Sequence, residues 1–255
     1  MPTLDALAPS YWAIGVDLPG FGDSDKPLFG GYDPPFFARA IVALRDGPGL
    51  DFAHVVGNSM GGRVALELGL RHHRRVRRLV LLAPSMSWLK SRPWAPYLRW
   101  VPTQLGVFQP APRLLIEMIV KQVVPDSNQE WTEAGVDEFL RSYLIALGRA
   151  AFYAAARNIY LEEPRGPDGL WTRLGQLEPD ALFVWAQGQP RADCLRAARA
   201  RAAPGADHLE LDGGHVPQLE RPRQTHEAMA ELLPNGAIAA CRRQSDGRRR
   251  LTAAP

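Results

Sequence analysis

The feature that most constrains this sequence is a turn between a short β-branched run and a helical pattern. The run ends at Gly57, the helical pattern begins just past Ser59, and Gly57, Ser59 and Gly61 spell Gly-x-Ser-x-Gly. A serine on so sharp a strand-to-helix turn has a strained backbone, so its neighbours must be small, and its hydroxyl stands clear of the sheet. The helix that follows directs its first N–H groups at the same place. An ordinary glycine-rich turn is the alternative, but the strand–turn–helix context favours a nucleophile elbow.

The length and composition are those of an ordinary globular protein. A chain of 255 residues, 46% hydrophobic and 22% charged, suits one large domain or one domain with a sizeable insertion. No apolar run reaches the ~18 residues of a membrane span, and residues 1–5 do not begin a secretory signal. Cys194 and Cys241 do not make a disulfide framework. We therefore expect a cytoplasmic protein without stable membrane insertion.

The positive net charge belongs to the end of the chain. Five arginines and one aspartate lie in residues 241–255, so the rest of the chain, with 25 basic and 26 acidic residues, carries a net charge of −1. A basic tail can contact nucleic acid or anionic lipid. Residues 235–255 have almost no apolar side chain that could offset the entropy of ordering, which predicts a disordered, dispensable tail. The near-neutral remainder argues against nucleic acid as a partner.

Strand and helix patterns alternate in two parts of the sequence, at residues 1–84 and 179–234. Such alternation predicts an α/β fold, a mostly parallel sheet flanked by helices. The predicted strands are residues 12–17, 52–56, 76–82, 181–185 and 208–211, and the predicted helices include 36–44, 60–70, 195–203 and 217–233. Residues 85–178 show helical patterns, five tryptophans and no clear strand. We interpret this stretch as a helical cap inserted over the sheet.

Three motifs together resemble the α/β-hydrolase superfamily, over about residues 4–233. They are Asp-Leu-Pro-Gly-Phe-Gly at residues 17–22, the elbow at residues 57–62, and Gly-Gly-His-Val-Pro at residues 213–217. The resemblance implies acyl transfer to water through a serine ester, with a triad in the order Ser, Asp or Glu, His. Ser59 matches the nucleophile, His215 matches the general base, and the Met60 N–H matches one oxyanion-hole donor.

The triad acid departs from the family pattern. The loop after the strand at residues 181–185 usually carries an aspartate just before a proline, and here that position is Gln189. A neutral amide cannot stabilise an imidazolium as a carboxylate does. Asp193 is the nearest carboxylate and could complete the triad if the loop takes another path, although an N-cap role is the alternative. Some members of the family take their acid from the loop after the preceding strand instead, but that loop, residues 83–86, has no acidic residue here.

The family's first strands and its His-Gly oxyanion loop have no counterpart upstream of residue 4. We therefore expect a chain lacking the N-terminal strands and the second oxyanion donor, as in a truncated protein, a misplaced start or a degenerate gene. In the resembled fold the absent third strand lies between the strand at residues 12–17 and the elbow strand. Its loss would leave a gap there, or force these two strands to pair directly.

The sequence thus predicts a serine hydrolase acting on a small, apolar, carboxylic-ester-like substrate, with activity weakened by the missing acid and donor. Ser59 and His215 should lie side by side at the carboxyl edge of the sheet, with Trp88, Trp94 and Asn58 as candidate substrate contacts. No metal cluster, phosphate loop or dinucleotide motif is present in the sequence, so no cofactor is implied. The alternative is a non-catalytic relative that binds a small ligand or a partner. The oligomeric state is not indicated.

Overall fold

The computed structural model describes residues 2–47, 49–86, 100–108, 117–118, 129–162, 166–186 and 206–233. In chain order its elements are helices α1 (Pro2–Leu7) and α2 (Pro34–Asp46), strand β1 (Ala53–Asn58), helix α3 (Met60–Arg71), strand β2 (Val76–Leu82), helices α4 (Gln129–Tyr143), α5 (Ala146–Tyr160) and α6 (Leu170–Leu174), strands β3 (Asp180–Ala186) and β4 (Ala206–Leu211), and helices α7 (Pro217–Glu220) and α8 (Pro222–Leu232). Within the described ranges, 3₁₀ helices lie at His73–Arg75 and Thr103–Phe108.

The four strands form one parallel sheet in the order β1-β2-β3-β4. In its register Asn58 lies opposite Leu82, and Leu82 lies opposite Val184. Because all four strands run the same way, the segments that follow β1, β2 and β4 meet at one edge of the sheet. The prediction of a parallel sheet flanked by helices is confirmed.

The core lies on both faces of this sheet. Alternate residues of β2 supply the two faces, as strand geometry requires. Leu79 and Leu81 pack with residues of α2, α3 and α6, whereas Val80 and Leu82 pack with Met229 of α8. A central strand buried on both faces explains why residues 79–82 of β2 are a continuous apolar run.

The strand predicted at residues 12–17 is wrong. Residues 12–18 form neither strand nor helix, and Trp12, Ile14 and Val16 are 66%, 51% and 41% exposed. Alternating apolar residues show which face of an extended segment is apolar. A β-strand also needs an adjacent strand to hydrogen-bond with its backbone N–H and C=O groups. Within the described residues no strand pairs with this segment.

Two helix predictions need smaller corrections. The helix predicted at residues 36–44 begins earlier, at Pro34, because Asp33 caps it by accepting a hydrogen bond from the Phe36 N–H at 2.7 Å. The helix predicted at residues 217–233 is divided into α7 and α8, with Pro222 as the first residue of α8. Proline is favoured in the first turn of a helix and disfavoured in its interior.

The described part of the segment between β2 and β3 contains α4, α5, α6 and the 3₁₀ helix Thr103–Phe108, joined by turns and irregular residues, and no strand. Trp100 is exposed, and Trp171 packs partly buried against the core. Trp88, Trp94 and the tail at residues 235–255 lie outside the described residues, as does the helix predicted at 195–203. None of the described helices is long and apolar enough to cross a bilayer.

Candidate active site

Ser59 occupies the turn between β1 and α3 in a backbone conformation that side-chain-bearing residues rarely adopt. Its φ and ψ are 52° and −113°. Backbone hydrogen bonds on both sides hold it there. The Ser59 N–H donates to Leu82 O at 2.9 Å, and Ser59 O accepts from the N–H groups of Arg63 and Ser85 at 3.1 and 2.9 Å. Strain of this kind persists only where the surroundings fix it, and it is concentrated at functional sites.

Close backbone packing around Ser59 requires a glycine at position 57 and leaves little room for a side chain at position 62. A Cβ on Gly57 would lie 2.3 Å from Gly61 O, and a Cβ on Gly62 would lie 3.0 Å from Pro84 Cα. A Cβ on Gly61 would meet nothing within 4 Å. The end of β1 and the start of α3 therefore approach each other more closely than any side chain at Gly57 allows.

Gly57→Ala should lower the free energy of unfolding by about 2–3 kcal/mol, because the Cβ must displace backbone atoms. In a chain of this size that corresponds to roughly 4–12 °C in Tm. Gly61→Ala is the matched control, for which we expect an unchanged or slightly raised Tm because that position is open and helical. Thermal unfolding followed by circular dichroism compares the two, and equal Tm values would contradict this account of the turn.

His215 meets Ser59 across the edge of the sheet. Its Nε2 lies 2.7 Å from Ser59 Oγ, and the residue is buried on the loop that follows β4. This distance is within hydrogen-bond reach for a base that takes a proton from a hydroxyl. The predicted proximity of Ser59 and His215 is confirmed.

Asn58, which the sequence predicted as a substrate contact, hydrogen-bonds to both β2 and the loop that carries His215. Its Nδ2 donates to Leu82 O at 3.0 Å and to His215 O at 3.1 Å. Both amide protons therefore join the elbow strand to β2 and to the histidine loop.

Glu220 is a buried carboxylate that sequence reasoning missed. It lies on α7, and its two oxygens accept hydrogen bonds from the backbone N–H groups of Gly214 and Val216, the residues on either side of His215. Glu220 is four residues after Val216 and six after Gly214. Because α7 is a single turn, this spacing brings the Glu220 carboxylate back to the backbone N–H groups of the loop. The carboxylate fixes the backbone that presents the imidazole.

Glu220→Gln should lower the free energy of unfolding by about 2 kcal/mol, since one carboxylate oxygen becomes an NH₂ facing a backbone N–H that then lacks an acceptor. Glu227→Gln on α8 is the control, because Glu227 pairs with Arg223 on the exposed surface. Its Tm should not change. An unaltered Tm in Glu220→Gln would show that the loop does not depend on this carboxylate.

Ser85 is a second side chain in contact with the Ser59 hydroxyl. Its Oγ is 3.2 Å from Ser59 Oγ, and the side chain is completely buried. Sequence reasoning examined residues 83–86 only for an acid and so overlooked this hydroxyl.

Met60, the predicted oxyanion donor, is the first residue of α3. The first N–H groups of a helix have no intrahelical acceptor, and this helix end carries a partial positive charge. The positive end of α3 therefore faces Ser59. Gln189 and Asp193, the positions considered for the triad acid, lie outside the described residues.

The other described histidines are less buried than His215 and differ from it in their surroundings. Burial lowers the pKa of His54 and His72, and nearby arginines lower both further. Burial also lowers the pKa of His226, which is hydrogen-bonded to Thr3 at 3.2 Å. His208 Nδ1 lies 3.2 Å from the Trp185 indole nitrogen. The described contacts of these four histidines are with packing neighbours, and Ser59 is not among them.

A buried ionic cluster lies one helical turn beyond Ser59. Arg63 and Glu67 of α3 are fully buried and paired at 2.8 Å. Arg63 Nε also donates to Glu162, just after α5, at 2.8 Å, and Arg173 of α6 donates to Glu67 at 3.0 Å. Exposed Arg71 is a further partner of Glu67. We call Arg63, Glu67, Arg71, Glu162 and Arg173 the ionic cluster; it joins the elbow helix to the helical segment between β2 and β3.

The ionic cluster sets the protonation of its central carboxyl. Burial alone would raise the pKa of Glu67, but the charge of Arg63 and hydrogen bonds from Arg173 and Arg71 lower it to about 2. Burial likewise opposes the charge on Arg63, and its bonds to Glu162 and Glu67 outweigh burial and raise its pKa. Both partners are therefore ionised at neutral pH.

Comparison with known proteins places this geometry in a family context. The family described as the alpha/beta hydrolase fold matches residues 2–222. A dihydrolipoyllysine-residue acetyltransferase component of the acetoin cleaving system of Cupriavidus necator is 29% identical over 86% of this chain, which spans 55% of that relative. A 2-hydroxy-6-oxo-6-phenylhexa-2,4-dienoate hydrolase of Burkholderia cepacia is 26% identical over 90% of this chain and 79% of its own length. The chain thus spans just over half of the first relative and about four fifths of the second.

Solved structures share the architecture. A probable hydrolytic enzyme from Pseudomonas aeruginosa superposes with a TM-score of 0.69 and 25% identity, covering 91% of this chain and 80% of its own. An esterase from Exiguobacterium antarcticum gives a TM-score of 0.70 at 18% identity, covering 90% and 84%, which is a likeness of fold alone. The family match over most of the chain, together with the parallel sheet and the serine elbow, establishes that the chain belongs to the alpha/beta hydrolase family.

Proposed function

We propose that this protein is a serine hydrolase that cleaves carboxylic esters or similar acyl substrates, with Ser59 as nucleophile and His215 as general base. The observation that carries the proposal is the 2.7 Å separation of Ser59 Oγ and His215 Nε2 at a strained strand-to-helix turn. A serine hydroxyl is a weak nucleophile until an adjacent base removes its proton. Burial of His215 keeps that proton transfer away from bulk water.

In the first half of the reaction His215 Nε2 takes the Ser59 proton as Ser59 Oγ attacks the substrate carbonyl carbon. The carbonyl electrons move to oxygen, and the Met60 N–H at the positive end of α3 stabilises that oxyanion. When the oxyanion collapses, the bond to the leaving alkoxide breaks and the imidazolium gives it a proton, leaving an ester on Ser59. In the second half water attacks this ester by the same steps and releases the acid and free Ser59.

The supporting residues complete this proposal. Asn58 joins the elbow to the histidine loop through His215 O, and Glu220 fixes the same loop through the N–H groups of Gly214 and Val216. Asp193 is the proposed triad acid, because Gln189 is neutral and Asp193 is the nearest carboxylate in the sequence. An Asp193→Asn variant with undiminished turnover would show that the acid, if one is used, lies elsewhere.

The substrate class is argued from the chain and its relatives. Residues 85–178 are proposed to cap the site, with Trp88 and Trp94 forming an apolar acyl pocket. The relative from Burkholderia cepacia is named for hydrolysis of 2-hydroxy-6-oxo-6-phenylhexa-2,4-dienoate. That compound has a phenyl group and a 6-oxo carbonyl carbon, so an apolar pocket beside Ser59 would fit a substrate of this kind.

The test is a substrate panel with the purified chain and its Ser59→Ala variant. p-Nitrophenyl acetate, butyrate and octanoate probe ester hydrolysis and chain length, and 2-hydroxy-6-oxo-6-phenylhexa-2,4-dienoate probes carbon–carbon cleavage. We expect ester hydrolysis that depends on Ser59. Cleavage of the dienoate alone would move the proposal to carbon–carbon hydrolysis, and saturable ester binding without turnover would favour the non-catalytic binding protein.

A further inference from the structure

The hydroxyl of Ser85 contacts the same oxygen of the proposed nucleophile that the imidazole of His215 contacts. Ser85 makes two hydrogen bonds to one residue, since its N–H donates to Ser59 O at 2.9 Å and its Oγ lies 3.2 Å from Ser59 Oγ. The side chain is completely buried, so neither bulk solvent nor a substrate in an open pocket contacts it. Among the described residues, Ser59 Oγ is the hydrogen-bond partner of this hydroxyl.

An unusual turn brings Ser85 to this position. Ala83, the first residue after β2, has a φ of 42°, in the left-handed region that a residue with a Cβ avoids. Its N–H donates to Val184 O at 2.8 Å, which anchors the turn to β3. The chain then bends back over the elbow instead of continuing along the sheet. Two strained residues, Ser59 and Ala83, thus lie where Ser85 and Ser59 meet, as expected where the surroundings over-determine a functional geometry.

The directions of the hydrogen bonds follow from counting protons. Ser59 has one hydroxyl proton, and general-base catalysis requires that proton to point at His215 Nε2. In the pair of hydroxyls Ser85 must then be the donor and Ser59 Oγ the acceptor. We propose that Ser85 is a positioning residue, which orients the Ser59 hydroxyl toward His215 and supports negative charge on Ser59 Oγ. This inference rests on the proposed function.

The distance between the two hydroxyl oxygens indicates at which stage of the reaction the hydrogen bond from Ser85 contributes. At 3.2 Å the bond is longer than the ~2.7–2.8 Å usual between hydroxyls, so it is weak in the resting enzyme. When the ester on Ser59 is hydrolysed, the breaking bond returns its electrons to Ser59 Oγ, and His215 delivers the proton that this oxygen needs. Ser85 keeps its own proton throughout, and hydrogen bonds to a charged oxygen are shorter and stronger. A contact that strengthens in the transition state raises kcat more than it lowers KM.

The experiment compares Ser85→Ala, Ser85→Thr and the control Ser142→Ala, which removes another buried serine hydroxyl, on α4. Ser85→Ala should lower kcat for ester hydrolysis about 10-fold, as for one partly charged hydrogen bond, and leave KM within about 2-fold, because Ser85 does not touch the substrate. It should slow the reaction of Ser59 with a fluorophosphonate to a similar extent. Ser85→Thr keeps the hydroxyl and should restore most of kcat, and Ser142→Ala should match the wild type.

The results separate this inference from the proposed function. Ser59-dependent turnover with the same kcat in Ser85→Ala and wild type would overturn the role of Ser85 and leave the hydrolase proposal intact. A rise in KM at constant kcat would also overturn it, because that pattern belongs to a substrate contact. A wild type with neither turnover nor labelling at Ser59 would remove both proposals.

Discussion

Ser59→Ala should lower kcat/KM for ester hydrolysis by about 10³-fold or more while the protein stays folded. The variant removes the oxygen that forms the acyl ester, and what remains is binding and any stabilisation of the oxyanion by Met60. The Cβ and the backbone hydrogen bonds of Ser59 stay in place, so Tm should not fall. Steady-state hydrolysis of p-nitrophenyl butyrate and a thermal melt of the same preparation measure both quantities.

Ser59→Gly distinguishes chemistry from backbone strain. Ser59 has a φ of 52°, a conformation that glycine adopts readily and alanine does not. Ser59→Gly should therefore be as inactive as Ser59→Ala but more stable, by about 1 kcal/mol. A lower Tm for the glycine variant would contradict strain at the elbow, and retention of activity in either variant would contradict Ser59 as nucleophile.

Arg63→Met should lower the free energy of unfolding by about 3–5 kcal/mol. Arg63 is fully buried and pairs with Glu67 and Glu162. Methionine of similar length leaves the buried Glu67 carboxylate with one cationic partner fewer, and breaking a buried pair from one side leaves an uncompensated charge. At about 2–4 °C per kcal/mol for a chain of this size, Tm should fall by roughly 6–20 °C. Arg223→Met, which removes an exposed pair with Glu227, should leave Tm unchanged.

The acid dependence of stability provides a second measurement on the same pair. The pKa of Glu67 falls from 4.5 to about 2 in the folded protein, so its ion pairs stabilise the fold fully above the unfolded value. As the pH falls from about 4.5 toward 2, that contribution, on the order of 3 kcal/mol, is lost. Urea unfolding at several pH values should show this loss in the wild type and a smaller one in Arg63→Met. Parallel curves would mean that Arg63 does not set the protonation of Glu67.

The elbow and the sheet could be predicted because their signals are local. The β-branched run, Gly57 and the helix after Ser59 are adjacent in the sequence, and parallel strands bring every loop at their carboxyl ends to one edge. The proximity of Ser59 and His215 therefore followed from placing each after a strand. The prediction of a strand at residues 12–17 failed because apolar alternation is a local signal, whereas strand pairing depends on a partner far away in the sequence.

The remaining features depend on contacts that the sequence does not reveal. Arg63, Glu67 and Arg71 have the i, i+4 spacing of a solvated helix face, yet Arg63 and Glu67 are buried because Glu162 and Arg173 reach them from 99 and 106 residues further along the chain. Ser85 reaches Ser59 only through the turn at Ala83. In the sequence Glu220 looks like an ordinary surface acid, and only the folded position of α7 against the histidine loop shows its contacts with the backbone.

The central claim is that Ser59 is a nucleophile activated by His215, and covalent labelling tests it most directly. The purified chain is incubated with a fluorophosphonate, its intact mass is measured, and the modified peptide is sequenced by tandem mass spectrometry. We predict one label per chain on Ser59, a rate at least about 100-fold lower in His215→Ala, in line with the contribution of a general base, and no label in Ser59→Ala. An unlabelled chain, a label on another residue, or labelling of Ser59 at an unchanged rate in His215→Ala would contradict the account.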